Sequence, residues 1–380
     1  MVQIAEKARE EGHIVYTACP DSRDNRKKSV KSQILIGNRV FRNMHLKLAY
    51  FTGFNGCFSY FSTLNFLSKI KKFKPDIIHL HNLHNCYINL RLLFKYIKKN
   101  NIRVFWTLHD CWAFTGHCPY FDMAGCNKWK TGCHNCPIYR KYPDSLIDNS
   151  KYMYRLKKKW FTGVKDLTIV TPSEWLAGLV KESFLNEYTV KVINNGIDLS
   201  VFKPTDSDLR KKYSCEDKFI LLGVAFGWGK RKGLDVFIEL SKLLDERFKI
   251  VLVGTDENLD KQLPQNIISI HRTQNQTELA EIYTAADLFV NPTREENYPT
   301  VNMEAIACGT PVLTFNTGGS PEIPDNSCGS VVSKDDVDAL YNEVIRIYTQ
   351  KPFGEKDLIN RAENFDMNGR FKEYVDLYGK

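Results

Sequence analysis

The chain has 380 residues, of which 43% are hydrophobic and 26% charged, with a formal net charge of +9. That balance excludes a disordered or collagen-like chain, and the length suits two domains. No apolar run reaches membrane-spanning length, and the charged, amphipathic start Met1-Val-Gln-Ile-Ala-Glu-Lys-Ala-Arg-Glu10 is unlike a secretory leader, so a cytosolic protein is expected.

The first predicted element is a helix over residues 2–11, stopped by Gly12, followed by a strand over 14–18. Helical spacing over 60–72, a strand over 76–80, a helix over 87–99 and a strand over 104–108 come next. A long loop leads to a helix over 151–161, a strand over 167–170, a helix over 174–184 and a strand over 190–193. A second series has strands over 219–224, 249–253, 267–270, 288–290 and 312–315. Its helices cover 234–245 and 278–285, with a further one running up to Gly309. Strand and helix alternate twice over, which predicts two doubly wound parallel sheets. The turn-rich tract Asn194-Asn195-Gly196-Ile197-Asp198 reads as the hinge. The expected division is 1–194, an N-terminal acceptor-side domain carrying a Cys-rich loop at 111–137; 195–360, a C-terminal ligand-binding domain; and 361–380, a helix returning to the first. Ligands of such proteins sit beyond the carboxyl ends of the strands, here in a cleft between domains. The opening helix is an oddity. A doubly wound domain should begin with a central strand and a phosphate-facing turn, so the first domain is either irregular or truncated at its N-terminus.

The most telling stretch is Arg294-Glu295-Glu296-Asn297-Tyr298-Pro299-Thr300-Val301-Asn302-Met303-Glu304. Glu296 falls in a polar loop and Glu304 in the first turn of a predicted helix that Thr300 caps, Gly309 stops and Pro311 keeps from continuing. Strand, loop and helix N-terminus is the order in which α/β proteins hold phosphates, because unpaired N–H groups and the helix dipole point there. A carboxylate one turn in would repel a phosphate but suits a ribose diol beside one. Exposed glutamates are usually plain surface charges. The small-residue face of Ala305, Ala307 and Gly309 argues for close helix–sheet packing here instead.

Basic clusters occur at 26–28, 71–74 and 157–159. They read as solvated faces, or as attraction to anionic lipid or a phosphorylated substrate; no nucleic-acid motif accompanies them. The aromatic-rich stretch Tyr50 to Phe61 reads as core and acceptor cleft, with membrane docking as its alternative. In the 111–137 loop, Cys118, Cys126, Cys133 and Cys136 have the content of a tetrahedral S4 site, and Cys133-His134-Asn135-Cys136 resembles a metal knuckle. Structural zinc is expected there, with plain reduced thiols the alternative.

Taken together these motifs resemble the retaining nucleotide-sugar glycosyltransferases of the two-domain GT-B fold, family four. The resemblance rests on Glu296-x7-Glu304 with the following Ala-Ile-Ala-Cys-Gly-Thr-Pro-Val, on Asn316-Thr-Gly-Gly-Ser-Pro-Glu-Ile323, and on Val192-Ile-Asn-Asn-Gly-Ile-Asp198. Lys230-Arg231-Lys232-Gly233 and Trp106-Thr-Leu-His-Asp110 support it. It implies Glu304 on the donor ribose and Glu296 on the donor sugar. Backbone amides from Asn297, Tyr298, Pro299, Thr300 and Val301 would face sugar and diphosphate, with Lys232 on the diphosphate. The family's arginine, five or six residues before that lysine, is replaced here by Phe226 and Gly227, leaving Lys230 or Arg231 as substitutes. His109 would lie near sugar and acceptor; His81 and His84, read from their position alone, are weaker cleft candidates with a structural role as the equal alternative. Apart from the resemblance, Gly318-Gly319 before Pro321-Glu322 reads as a second anion-facing nest, with a plain tight turn as its alternative. The resemblance also implies a reaction without a catalytic metal, a UDP-linked donor, and a glycan or lipid-linked glycan acceptor in surface polysaccharide assembly. The setting would be cytoplasmic or peripheral at the inner face of the membrane. The rival from another class is a truncated, non-catalytic homologue acting as a partner or regulatory subunit.

Overall fold

The computed structural model describes residues 1–27, 32–84 and 86–379. Lys28 of the first basic cluster lies outside them. The described chain divides into two compact units, one from Met1 to Ile193 joined by the residues from Phe371 onward, the other Asn194–Arg370. Each is an open parallel α/β assembly.

In the first unit, strands β1 (Thr17–Pro20) and β2 (Gln33–Ile36) form a two-stranded parallel pair. The strand expected at 14–18 begins three residues later, because Ile14 stands exposed to solvent rather than in the core. A four-stranded sheet follows, ordered β3 (Ile77–Leu80), β4 (Arg103–Thr107), β5 (Leu167–Thr171), β6 (Thr189–Val192), every pair parallel. The helix Leu90–Asn100 crosses from β3 to β4, with Asn89 accepting the Leu92 N–H as its cap. Leu90, Leu93, Phe94 and Ile97 recur at helical spacing and face the sheet, where Phe94 meets Trp106 and Phe161. The helix Arg39–Thr52 has no counterpart among the predicted elements. It is capped by Asn38 and closed by Gly53 in the left-handed region.

The second unit holds six parallel strands: β7 (Phe219–Val224), β8 (Phe248–Val253), β9 (Ile267–Ile270), β10 (Leu288–Asn291), β11 (Val312–Phe315) and β12 (Gly329–Val332). Their spatial order is β12-β11-β10-β7-β8-β9. The chain thus runs outward in one direction from β7 and in the other from β10. These two strands are neighbours, in register at Leu288 with Leu221 and Phe289 with Leu222. β7 and β10 are near-continuous apolar runs, as strands covered on both faces must be. One face packs on Tyr283, Met303 and Ile306, the other on Phe237, Leu240 and Val344. The strand β12 and the helix Val337–Gln350 extend the order beyond the predicted series.

Candidate active site

The point where strand order reverses leaves a crevice between the loops that follow the two diverging strands, because neither connection covers it. In the second unit those loops follow β7 and β10. The first carries the short 3₁₀ turn Lys230–Lys232, and the second carries Glu295, Glu296 and Asn297. Two residues sixty-four positions apart in the sequence are in contact here: Lys232 Nζ donates to Glu296 Oε2 at 2.5 Å. Their side chains are 20% and 15% exposed.

The loops are held by a network anchored on Arg294, which the sequence reading left without a role. Its side chain is 8% exposed, pairs with Asp335, and reaches Asp235 through two bonds at 2.7 and 2.9 Å. It also donates to the Lys230 carbonyl. Arg231 answers from the other loop, donating to the Glu295 carbonyl at 3.2 Å, while the Arg294 N–H donates to the Arg231 carbonyl at 2.9 Å. Lys230 and Arg231 therefore brace the crevice through their backbone and guanidinium. Phe226, standing where the family's arginine was expected, is 97% exposed.

Glycine makes the close approaches possible at two places. Gly233 has φ +76°, and a Cβ there would lie 2.4 Å from the Pro292 carbonyl oxygen. Gly318 has φ +57°, and a Cβ would lie 1.8 Å from the Glu296 carbonyl oxygen. The turn after β11 is thus pressed against the Glu296 loop, a contact that Gly318-Gly319 foreshadowed only as a turn. Beside it Thr317 Oγ1 and Ser320 Oγ are buried without a hydrogen-bond partner.

The helix after the loop spans Thr300–Ala307, with Pro299 as its N-cap and no capping side chain. Thr300 was expected to be the cap. It is instead the first helical residue, and its hydroxyl bonds to Glu304 one turn on. Glu304 consequently sits in the second turn. Burial raises its pKa, against hydrogen bonds from Tyr283 and Thr300 that favour the ionised form; the Tyr283 hydroxyl is 3.0 Å away. Of the loop amides expected to face a ligand, Pro299 has none to offer, and Asn297 N–H turns to Glu296 Oε1 at 3.2 Å. Tyr298 and Val301 pack into the core, and Asn195 Nδ2 donates to the Tyr298 carbonyl at 3.1 Å.

The histidines belong to the first unit. β3 and β4 are parallel with Leu80 opposite Trp106, so the residues leaving their carboxyl ends meet. His81 Nδ1 lies 3.2 Å from His109 Nε2, and the two rings stack. Burial holds both below the usual imidazole range. His84 Nε2 is 3.1 Å from Asp110 Oδ2, and Asp110 Oδ1 accepts the Trp112 N–H. His79 is structural, bonded to Tyr378 and Thr107.

Among the described residues no three His, Cys, Asp or Glu side chains are grouped as a metal requires, so Cys118, Cys126, Cys133 and Cys136 are not gathered into the expected S4 set. The Cys118 thiol is held above its usual range by its hydrogen bond to Cys136. Cys133 Sγ accepts the Gly116 N–H at 3.1 Å. The loop is stapled by other means. Phe114 and Phe121 pack on the buried Trp129. The fully buried Lys157 Nζ donates to the Trp112 and Thr115 carbonyls at 2.7 and 3.1 Å. It also lies 3.4 Å from the centroid of the Trp112 ring. Burial brings this lysine down to about 7.

Two Rossmann-like units with parallel sheets in one chain are the GT-B architecture, although among the described residues only the second sheet shows the strand-order reversal of a doubly wound sheet. The solved structures that resemble the chain have the same fold. Sucrose-phosphate synthase from Thermosynechococcus elongatus superposes with a TM-score of 0.71 at 18% identity, over 99% of this chain and 91% of that one. Anabaena Alr3699/HepE, solved in complex with UDP, gives 0.66 at 15% identity, over 96% and 100%. A protein of Escherichia coli strain K12, assigned by its name to colanic acid biosynthesis as a glycosyl transferase, is 26% identical over 317 residues, 80% of this chain and 76% of its own. The profile of Glycosyltransferase Family 4 matches residues 1–201, and that of Glycosyl transferases group 1 matches 217–350. The chain belongs to glycosyltransferase family 4.

Proposed function

We propose that the protein transfers a sugar from a nucleoside-diphosphate sugar, UDP-linked, to a glycan or lipid-linked glycan acceptor with retention of anomeric configuration, in the assembly of a surface polysaccharide. The observation that carries this reading is the Lys232–Glu296 contact at the switch point between β7 and β10, with Glu304 one turn into the following helix. A carboxylate for the ribose, a cation for the diphosphate and a carboxylate for the sugar are then supplied, one for each of these parts of a nucleotide sugar. The UDP held by the Anabaena structure and the colanic acid relative support donor and setting.

In this reading Lys232 leaves Glu296 for the diphosphate when donor binds, and its charge stabilises the leaving group as the glycosidic bond breaks. Glu296, released, accepts hydroxyls of the donor sugar. Glu304 accepts from the ribose hydroxyls, with Tyr283 fixing its second oxygen. The acceptor hydroxyl attacks on the face the diphosphate leaves, and a phosphate oxygen takes its proton. Catalysis is then positioning plus charge stabilisation, with no metal and no protein nucleophile. His109, supported by His81, is assigned to the acceptor side.

The test is a panel of nucleotide sugars offered with and without acceptor, with the anomeric configuration of the product read by NMR. Turnover of UDP-sugars above GDP-sugars with retention is expected. Inversion, or donor binding without hydrolysis or transfer under any condition, would overturn it.

A further inference from the structure

We propose that the face of the first unit carrying the helix Arg39–Thr52 docks on the surface of an anionic phospholipid bilayer. The helix is amphipathic in the wrong sense for a water-facing surface. A helix on a soluble protein turns its apolar stripe to the core. Here the buried positions are His45 and Ala49, while Val40, Met44, Leu48 and Phe51 form an outward stripe. Val40 is 74% exposed. The neighbouring helix Tyr60–Phe73 continues the patch with Tyr60, Phe61 and Leu64, and Phe61 is 77% exposed. A groove of about 280 Å³ lined by Phe41, Phe61 and Lys69 joins the two helices. The aromatic stretch from Tyr50 to Phe61 is therefore divided: Phe54 packs inward, whereas Phe51, Tyr60 and Phe61 face out.

The charge around this patch selects its partner. From Asn25 to His109 the sequence has one acidic residue, Asp76, against sixteen lysines and arginines. Arg39 and Lys47 flank the apolar stripe. Beyond Tyr60 a larger hollow, about 840 Å³, lies between the helices Leu90–Asn100 and Ser150–Phe161. Arg91, Lys95, Lys98 and Lys159 line it beside Trp160, with no acidic residue. Apolar side chains that sink to the acyl boundary, ringed by long cationic side chains that reach back to headgroups, are the composition of an interfacial helix. A second copy of the chain would set cations against cations, so pairing of this face with itself is disfavoured. Acidic headgroups complement it.

Three exposed side chains can be changed without disturbing the core: Val40→Ser, Met44→Ser and Phe61→Ser in one variant, with Arg39→Glu and Lys47→Glu as a second. Co-sedimentation with phosphatidylcholine vesicles containing about one third phosphatidylglycerol is the readout, at low and at high salt. The unaltered chain should bind these vesicles and leave pure phosphatidylcholine largely unbound. Each variant should lose about tenfold in binding, the charge variant less so in high salt. Thermal melting should be the same in all three proteins, and so should UDP binding, which the proposed function places on the second unit. This separates a failed docking surface from a failed donor site. Equal binding by the apolar variant and the parent overturns the proposal. So does absence of vesicle binding, or sedimentation as a dimer that the apolar variant abolishes.

Discussion

Replacing Glu296 by Gln should tighten the binding of free UDP while suppressing transfer. Lys232 is committed to Glu296 at 2.5 Å, both side chains largely withdrawn from water. At that distance the gross attraction is about 7 kcal/mol for an effective dielectric of about 20, and desolvation offsets most of it. A net preference of roughly 1–2 kcal/mol must still be overcome before Lys232 can serve a diphosphate. Gln at 296 keeps the shape and removes the competing charge, so UDP should bind roughly 5- to 30-fold more tightly. Transfer should fall about a hundredfold, because the donor sugar loses a charged acceptor that orients it. Lys232→Ala acts in the opposite direction, costing about 1.5–3 kcal/mol of UDP binding, or roughly 10- to 150-fold. Calorimetric titration of UDP, paired with initial rates on donor and acceptor, reads both quantities. If Glu296→Gln weakens UDP as much as Lys232→Ala does, the division of labour between the two residues is refuted.

Other outcomes follow from the same framework. Gly318→Ala places a Cβ 1.8 Å from the Glu296 carbonyl at φ +57°, so the loop must move. A loss of about 1–2 kcal/mol from backbone strain alone is expected, together with a fall in kcat. Arg294→Met leaves Asp235 and Asp335 without their cation. Both aspartates are 50% exposed, so solvent limits the loss to about 2 kcal/mol, measurable by urea unfolding of the second unit. His45 is held down to about 4, from an ordinary 6.5, by burial. Between those values the unfolded chain takes up a proton that the folded unit refuses. Stability is therefore full above pH 6.5 and declines by about 3 kcal/mol as pH falls toward 4. His45→Gln should flatten that part of the pH–stability curve.

The second unit was largely legible in the sequence because its strands are buried on both faces. Runs such as Phe219–Val224 and Val312–Phe315 are short and near-continuously apolar, as buried parallel strands are. What spacing could not reveal was adjacency. That β7 and β10 are neighbours, and hence that Lys232 meets Glu296 sixty-four positions away, is a property of strand order. Arg294 was quoted within the key motif, but its partners Asp235 and Asp335 lie on other elements. Thr300 has the chemistry of a cap, yet Pro299 takes that position and the hydroxyl serves Glu304. Val40, Met44, Leu48 and Phe51 carry a helical period that the sequence reading left unassigned; what the period could not tell is that this stripe faces out, while His45 and Ala49 face in. In the cysteine loop, Phe114, Phe121 and Trp129 are scattered in sequence yet converge, a packing that spacing does not show.

The central claim is that the switch-point crevice of the second unit reads a nucleotide from ribose to diphosphate. It is tested most directly by titrating UDP and uridine into the protein and into Glu304→Ala and Lys232→Ala. Glu304→Ala should weaken both ligands by a similar factor, about tenfold or more, since both carry the ribose. Lys232→Ala should weaken UDP and leave uridine unchanged. Full-strength binding of UDP to Glu304→Ala would contradict the account.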